Sequence, residues 1–169
     1  MKMTDMLSAG YSDQVTMELE SSNAYLQMSA WFETADLPGM ASWMRIQSEE
    51  ERLHALKFID FILDRGNTVS IGPVQAPPSD FASPRAVFEA ALAQEQAVST
   101  SIRQLYRRAS DDGDVESFSL IEWFLNEQIE EEATVNEILG QLGHAGEDGS
   151  ALLLLDRELG ARSLGRGPV

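Results

Sequence analysis

The 169-residue chain carries 28 acidic against 12 basic side chains, a formal net charge of -16, and no cysteine. Its length suits one domain, spanning 1–169, with room for a core of four long helices. The missing cysteines exclude a disulfide framework, a zinc-thiolate or iron–sulfur site and thiol catalysis, while the charge argues against nucleic acid or anionic membrane as a partner.

Helical periodicity runs from about Asp5 to Thr34, where Asp36-Leu37-Pro38-Gly39 stops it. Steps of three and four residues from Tyr11 pass through Val15, Glu18, Ser22, Tyr25, Ser29 and Phe32. A second helix is expected from about Met40 to Arg65, antiparallel to the first. Its stripe of Met40, Met44, Gln47, Glu51, His54, Phe58 and Phe61 places Glu51 and His54 three residues apart on one face, where both can reach the same metal ion. That pair alone also fits a surface glutamate beside a satisfied histidine. Residues 66–82, with Gly72, Pro73, Pro77 and Pro78, show no helical period. A connection of about 16 residues spans roughly 50 Å when extended, against about 40 Å for a 27-residue helix. It can therefore cross the whole bundle and leave the second and third helices parallel.

Ser83-Pro84 supplies a cap and a proline at the first position of a third helix, expected to reach about Ser110. Its stripe is Phe88, Leu92, Glu95, Ser99, Ile102 and Tyr106. After Asp111-Asp112-Gly113, Asp114 is the expected cap of a fourth helix to Leu142, with the stripe Phe124, Gln128, Glu131, Val135, Ile138 and Leu142. A Gly143 to Gly149 hinge precedes a short fifth helix ending near Leu159. The four long stripes are apolar at their ends and polar in the middle. Burying four carboxylates at one level of a bundle would cost several kcal/mol each without a counter-charge. A cation is therefore expected among them, and an oxygen-rich set with one imidazole suits iron or manganese and tolerates zinc. On this reading the net charge serves either solubility or the concentration of cations.

The run from Glu18 to Trp31, then Glu49-Glu50-Glu51-Arg52-Leu53-His54, Glu95-Gln96, and Asn126-Glu127-Gln128-Ile129-Glu130-Glu131-Glu132 resembles the non-haem bacterial ferritins over nearly the whole chain. The resemblance implies an all-α, ferritin-like four-helix bundle with one long crossover between helices 2 and 3 and a short C-terminal helix. It implies a dinuclear ferroxidase centre, with one iron held by Glu18, Glu51 and His54 and the other by Glu51, Glu95 and Glu131, so that Glu51 bridges. Gln128 would hydrogen-bond to bound oxygen species or to a ligand carboxylate. Tyr25 would stand beside the centre and supply an electron, a role that competes with that of a packed core tyrosine. Glu50, Glu127 and Glu130 match an additional iron site, though acidic groups on helix surfaces are more often simply solvated.

The resemblance further implies a cage of twenty-four identical subunits that oxidises Fe(II) with dioxygen and stores a ferric oxide mineral. Leu152 to Leu155 would then bury against neighbouring copies or back on their own subunit. Thr134 three residues after Glu131 and Arg52 after Glu51 depart from the second Glu-x-x-His and the haem methionine of bacterioferritins, so no haem is expected. The alternatives are a non-storing di-iron or di-manganese redox enzyme on the same bundle and a purely structural assembly whose acidic stripe holds water or a non-redox ion. Iron and dioxygen are the expected partners, with no nucleic acid and no membrane. The longest apolar run, Ala151 to Leu155, is too short to span a bilayer. The expected location is the cytoplasm, or the plastid stroma in a photosynthetic eukaryote. His144 has no ligand partner in the pattern and is read as a surface residue.

Overall fold

The computed structural model describes residues 1–162. Five α-helices make up its architecture: α1 Asp5–Thr34, α2 Pro38–Asp64, α3 Pro84–Asp111, α4 Phe118–Ala145 and α5 Gly149–Leu159, with a 3-10 turn Val115–Ser117 before α4. α1 pairs with α2 and α3 with α4, while α1 also packs on α3. This is the expected all-α ferritin-like bundle, closed by a short fifth helix.

The crossover is zipped along α1. Ser70 N–H donates to Ser12 Oγ (3.2 Å), Gly72 N–H to Thr16 Oγ1 (2.9 Å) and Gln75 N–H to Glu20 Oε1 (3.0 Å), one partner per turn of α1 and in the same direction. It therefore delivers the chain to the C-terminal end of α1, where Phe81 meets Trp31 (6.0 Å between ring centroids) and Phe88 meets Phe32 (5.7 Å). From there α3 runs antiparallel to α1 and parallel to α2.

Three element boundaries differ from the sequence expectation. α2 begins at Pro38 and not Met40, because a proline in the first turn loses no hydrogen bond there. Asp114 does not cap α4: its carboxylate is taken by Arg65, with Nη1 at 3.1 Å, and by the Ser117 hydroxyl, so a 3-10 turn intervenes before Phe118. α4 continues through Gly143 to Ala145 and stops at Gly146, whose φ of 53° lies in the left-handed region that favours glycine. One inward assignment also shifts. Tyr106 is half-exposed and stacks on Phe118 (5.3 Å), while Leu105 takes the core position.

The apolar core falls into two clusters. One gathers Met28, Phe32, Met44, Trp43, Phe88 and Ile138; the other gathers Leu7, Tyr11, Phe58, Ile102 and Phe124. The level between them is polar, holding buried Glu18, Gln47, Glu51, Glu95, Ser99 and Gln128.

α5 is clamped to the start of α2. The Asp156 carboxylate accepts the Met40 N–H (2.8 Å), satisfying a helix-start donor that has no intrahelical partner. The approach is possible only because residue 39 is glycine: a Cβ there would stand 1.7 Å from the Asp156 carbonyl oxygen. Leu155 is buried and Leu152 and Leu159 pack on the first cluster, whereas Leu153 and Leu154 remain 50% and 67% exposed.

Candidate metal centre

The polar level is built from the middle of each long helix. Glu18 on α1 and Glu51 and His54 on α2 each turn one ligand atom to a common point, all within 4.8 Å of one another, and all three side chains are buried. His54 Nδ1 lies 3.6 Å from Glu51 Oε2, and the ring is wedged edge-on against Trp123 (5.6 Å) and Phe124 (5.4 Å), which fixes its plane. Glu95 on α3 is buried beside this group. The Tyr25 hydroxyl donates to its Oε1, and Gln128 Nε2 donates both to its Oε2 and to its backbone oxygen at 3.1 Å. Glu131 on α4 is half-buried and accepts from Gln47 Nε2 (2.9 Å).

Two of these oxygens test whether the set fits a cation. Glu18 Oε2 and Glu51 Oε1 are fully buried and, among the described residues, meet no N–H or O–H donor, although the two carboxyls lie close enough to share a proton if one is neutral. An orphaned carboxylate oxygen in a dry interior is strongly unfavourable unless a cation or a proton meets it. The energetics of the four carboxylates agree. Burial, then the charge of Glu51, holds the Glu18 carboxyl well above its usual range. Burial, then Glu95, does the same for Glu51. Burial raises Glu95, with the hydrogen bonds from Tyr25 and Gln128 pulling it back. Burial followed by the charge of Glu95 pushes Glu131 up to about 7. A divalent cation at the point shared by Glu18, Glu51 and His54 would relieve the first two directly.

The ferritin-like domain model matches residues 11–144. The bacterial non-heme ferritin of Staphylococcus haemolyticus is 37% identical over 159 residues, covering 94% of this chain and 95% of the relative. That of Staphylococcus aureus is 36% identical over 152 residues, 90% and 92% of the two chains. An open-pore ferritin from the hyperthermophilic archaeon Archaeoglobus fulgidus superposes with a TM-score of 0.94 at 36% identity, covering 95% of this chain and 98% of its own. The chain belongs to the ferritin family.

Within this ferritin, neither Glu95 and Glu131 nor the residues expected at an additional iron site join that three-residue group. Glu50 is paired with Arg162 (Nη2 to Oε2, 2.7 Å), Glu127 is half-buried and Glu130 is exposed; among the described residues only Glu18, Glu51 and His54 meet the spacing of a three-residue metal group. Two buried glutamines support the carboxylates. Gln14 Nε2 donates to Glu18 Oε1 (2.8 Å), and its own oxygen accepts from Ser101. Gln47 holds Glu131. Gln47 lies on the inward stripe read from the sequence, but Gln14 lies off the stripe that carries Glu18, and its signal was only the four-residue spacing to that glutamate. The Tyr25 hydroxyl is held well above its ordinary range by burial first and then by Glu95, so it serves the site as a proton-bearing donor. His144 is exposed in the last turn of α4. No helix among the described residues is long and apolar enough to cross a membrane.

Proposed function

We propose that this ferritin oxidises Fe(II) with dioxygen at a two-iron centre inside each subunit and stores the product as a ferric mineral within a cage. The observation that carries the reading is the convergence of Glu18, Glu51 and His54 with two buried carboxylate oxygens left free of protein donors. Iron is the substrate here. One Fe(II) is held by Glu18, Glu51 and His54, and a second by Glu51, Glu95 and Glu131, with Glu51 shared. Two adjacent ferrous ions can deliver two electrons to one dioxygen and carry it to the level of hydrogen peroxide, which avoids a separate one-electron reduction. Anionic oxygen ligands favour Fe(III) over Fe(II), so the donor set itself drives the oxidation.

The asymmetry of the two positions bears on storage. The second position has only carboxylates and, unlike the first, lies at a half-buried residue, Glu131, so its ferric ion leaves more readily toward a mineral core. Gln128 steadies Glu95 from one side and Tyr25 from the other. On this reading Tyr25 passes an electron toward the centre as its hydroxyl proton moves to the Glu95 carboxylate to which it donates. Glu127 and Glu130, on the same helix as Glu131, offer further acidic groups to ferric product leaving the second position, while Glu50 is held by Arg162. Twenty-four copies closing into a shell would cover exposed Leu153 and Leu154, and the cytoplasm is the compartment that fits such a protein.

Anaerobic Fe(II) loading followed by rapid mixing with oxygen tests the chemistry: a fast oxidation phase is expected in the parent and its loss in Glu51→Ala. Aerobic loading tests storage, with far more iron retained per particle than ligand sites can hold. Retention near the number of ligand sites would instead indicate a non-storing redox enzyme.

A further inference from the structure

The segment after α5 ends beside the candidate metal centre. Arg162 lies three residues beyond Leu159, and its guanidinium makes three contacts: Nη2 to Glu50 Oε2 at 2.7 Å, Nη1 to Gln47 Oε1, and the face of Trp43 at 4.9 Å from the ring centroid. Its partners are immediate neighbours of the centre. Glu50 adjoins Glu51 in sequence and presses its charge on both Glu51 and Glu131, while Gln47 donates to Glu131. The side chains of Arg162 and Glu50 are only 26% and 21% exposed, so the pair is shielded from bulk solvent. The position is set by the fold: the Asp156 clamp on Met40 N–H and the close approach of Gly160 to Gly39, where a Cβ on Gly160 would stand 2.9 Å from the Gly39 Cα, fix the end of α5 over α2.

We propose that Arg162 is a tethered cation that closes the inner flank of the centre, holds Glu50 out of the ligand set and limits each subunit to two tightly bound metal ions. Arginine is suited to the task. Its planar fork is always charged, carries donors only, and can satisfy a carboxylate, an amide oxygen and an aromatic face at once. Because guanidinium can only donate, it fixes the Gln47 amide with its oxygen outward and its NH2 toward Glu131. The inference rests on the two-iron reading above and refines it: the charge that a third ion would supply beside Glu50 is already present in the polypeptide.

The test is isothermal titration of the assembled, iron-free protein with Co(II), which binds such ligand sets without oxidation, alongside its visible absorption. The parent is expected to bind two ions per subunit. Arg162→Ala is expected to bind a third with a distinct absorption band, Arg162→Ala combined with Glu50→Gln to return to two, and Arg162→Lys to stay at two because the charge is kept. Particle size by light scattering confirms that each variant is assembled. Two ions in both the parent and Arg162→Ala, or three in the parent, would overturn the proposal while leaving the two-iron centre standing. Failure of the parent to bind two ions that Glu51→Ala loses would instead overturn the function on which it rests.

Discussion

At the scale of single residues, the proposed centre would depend on side chains that never need touch iron. Gln14 is fully buried, donates to Glu18 Oε1 and is itself held by Ser101, so it fixes which Glu18 oxygen faces His54 and Glu51. Removing such an outer partner commonly weakens metal affinity about 10- to 100-fold. Gln14→Ala is therefore expected to weaken the first iron position within that range, and His54→Ala to weaken it further because a ligand atom itself is lost. Anaerobic Fe(II) titration of the two variants checks the order, and equal affinity of Gln14→Ala and parent would remove Gln14 from the site. Much of this level was legible in the sequence: helical period alone turns Glu18, Glu51, His54, Glu95 and Gln128 inward, and all five are buried. Gln14 was not, because a glutamine one turn from a glutamate looks the same whether solvated or packed. Arg162 was illegible for another reason. It stands past the last periodic helix, where no pattern says which way the chain folds back.

At the scale of elements, helix existence followed from periodicity, and the start of α4 was hidden because side chains compete for that terminus. Asp114 reads as a cap, yet Arg65 from the end of α2 captures it, a contact between residues 49 apart that no local rule anticipates. The pairing also holds the Asp114 carboxyl below its ordinary range, chiefly through the Arg65 hydrogen bond. The path of the crossover followed from length, whereas its attachment did not: Ser12, Thr16 and Glu20 form a polar row on α1 at four-residue spacing that serves the crossover backbone. The junction of α2 and α5 is the most exacting contact. Gly39→Ala would drive a methyl into the Asp156 backbone oxygen, and backbone cannot swing aside as a side chain can. α5 is expected to lift away, with loss of the Asp156 cap at about 1 kcal/mol and of the Leu152, Leu155 and Leu159 packing. Limited proteolysis should then cut near the Gly146–Gly149 turn much faster than in the parent. Gly140→Ala is the control: it sits in α4 with open space around it and should leave the cutting rate unchanged or lower it. Equal cutting of Gly39→Ala and parent would show that α5 is not held by that clamp.

For the whole molecule, the centre sets how stability depends on pH. Each buried carboxyl with a folded-state pKa above its unfolded value contributes fully below the unfolded pKa, and that contribution disappears as pH rises through the folded pKa. Glu131 moves from 4.5 to about 7, a shift equivalent to at most about 3–4 kcal/mol at 1.36 kcal/mol per unit. Glu18 and Glu51 are raised well beyond the usual range and act in the same direction at still higher pH. Asp114, lowered by Arg65, works oppositely, and its share is lost only as pH falls below the ordinary aspartate range. The metal-free protein should therefore lose thermal stability steadily between pH 5 and pH 8.5. Divalent metal reverses the trend, because a cation binds the ionised carboxylates and stabilises the folded state more as fewer protons must be displaced. Differential scanning fluorimetry with and without Co(II) should show a gain in melting temperature that grows across this window, and weakly buffered titrations should show fewer protons released per ion at pH 8.5 than at pH 6. Glu131→Gln isolates one share of the effect, since a neutral amide cannot titrate and the slope of the metal-free protein should flatten between pH 4.5 and about 7. A parent whose metal-free melting temperature is level or rises over the same window would mean that the four carboxylates are not held apart from solvent as a group, and the case for a cation among them would fail with it.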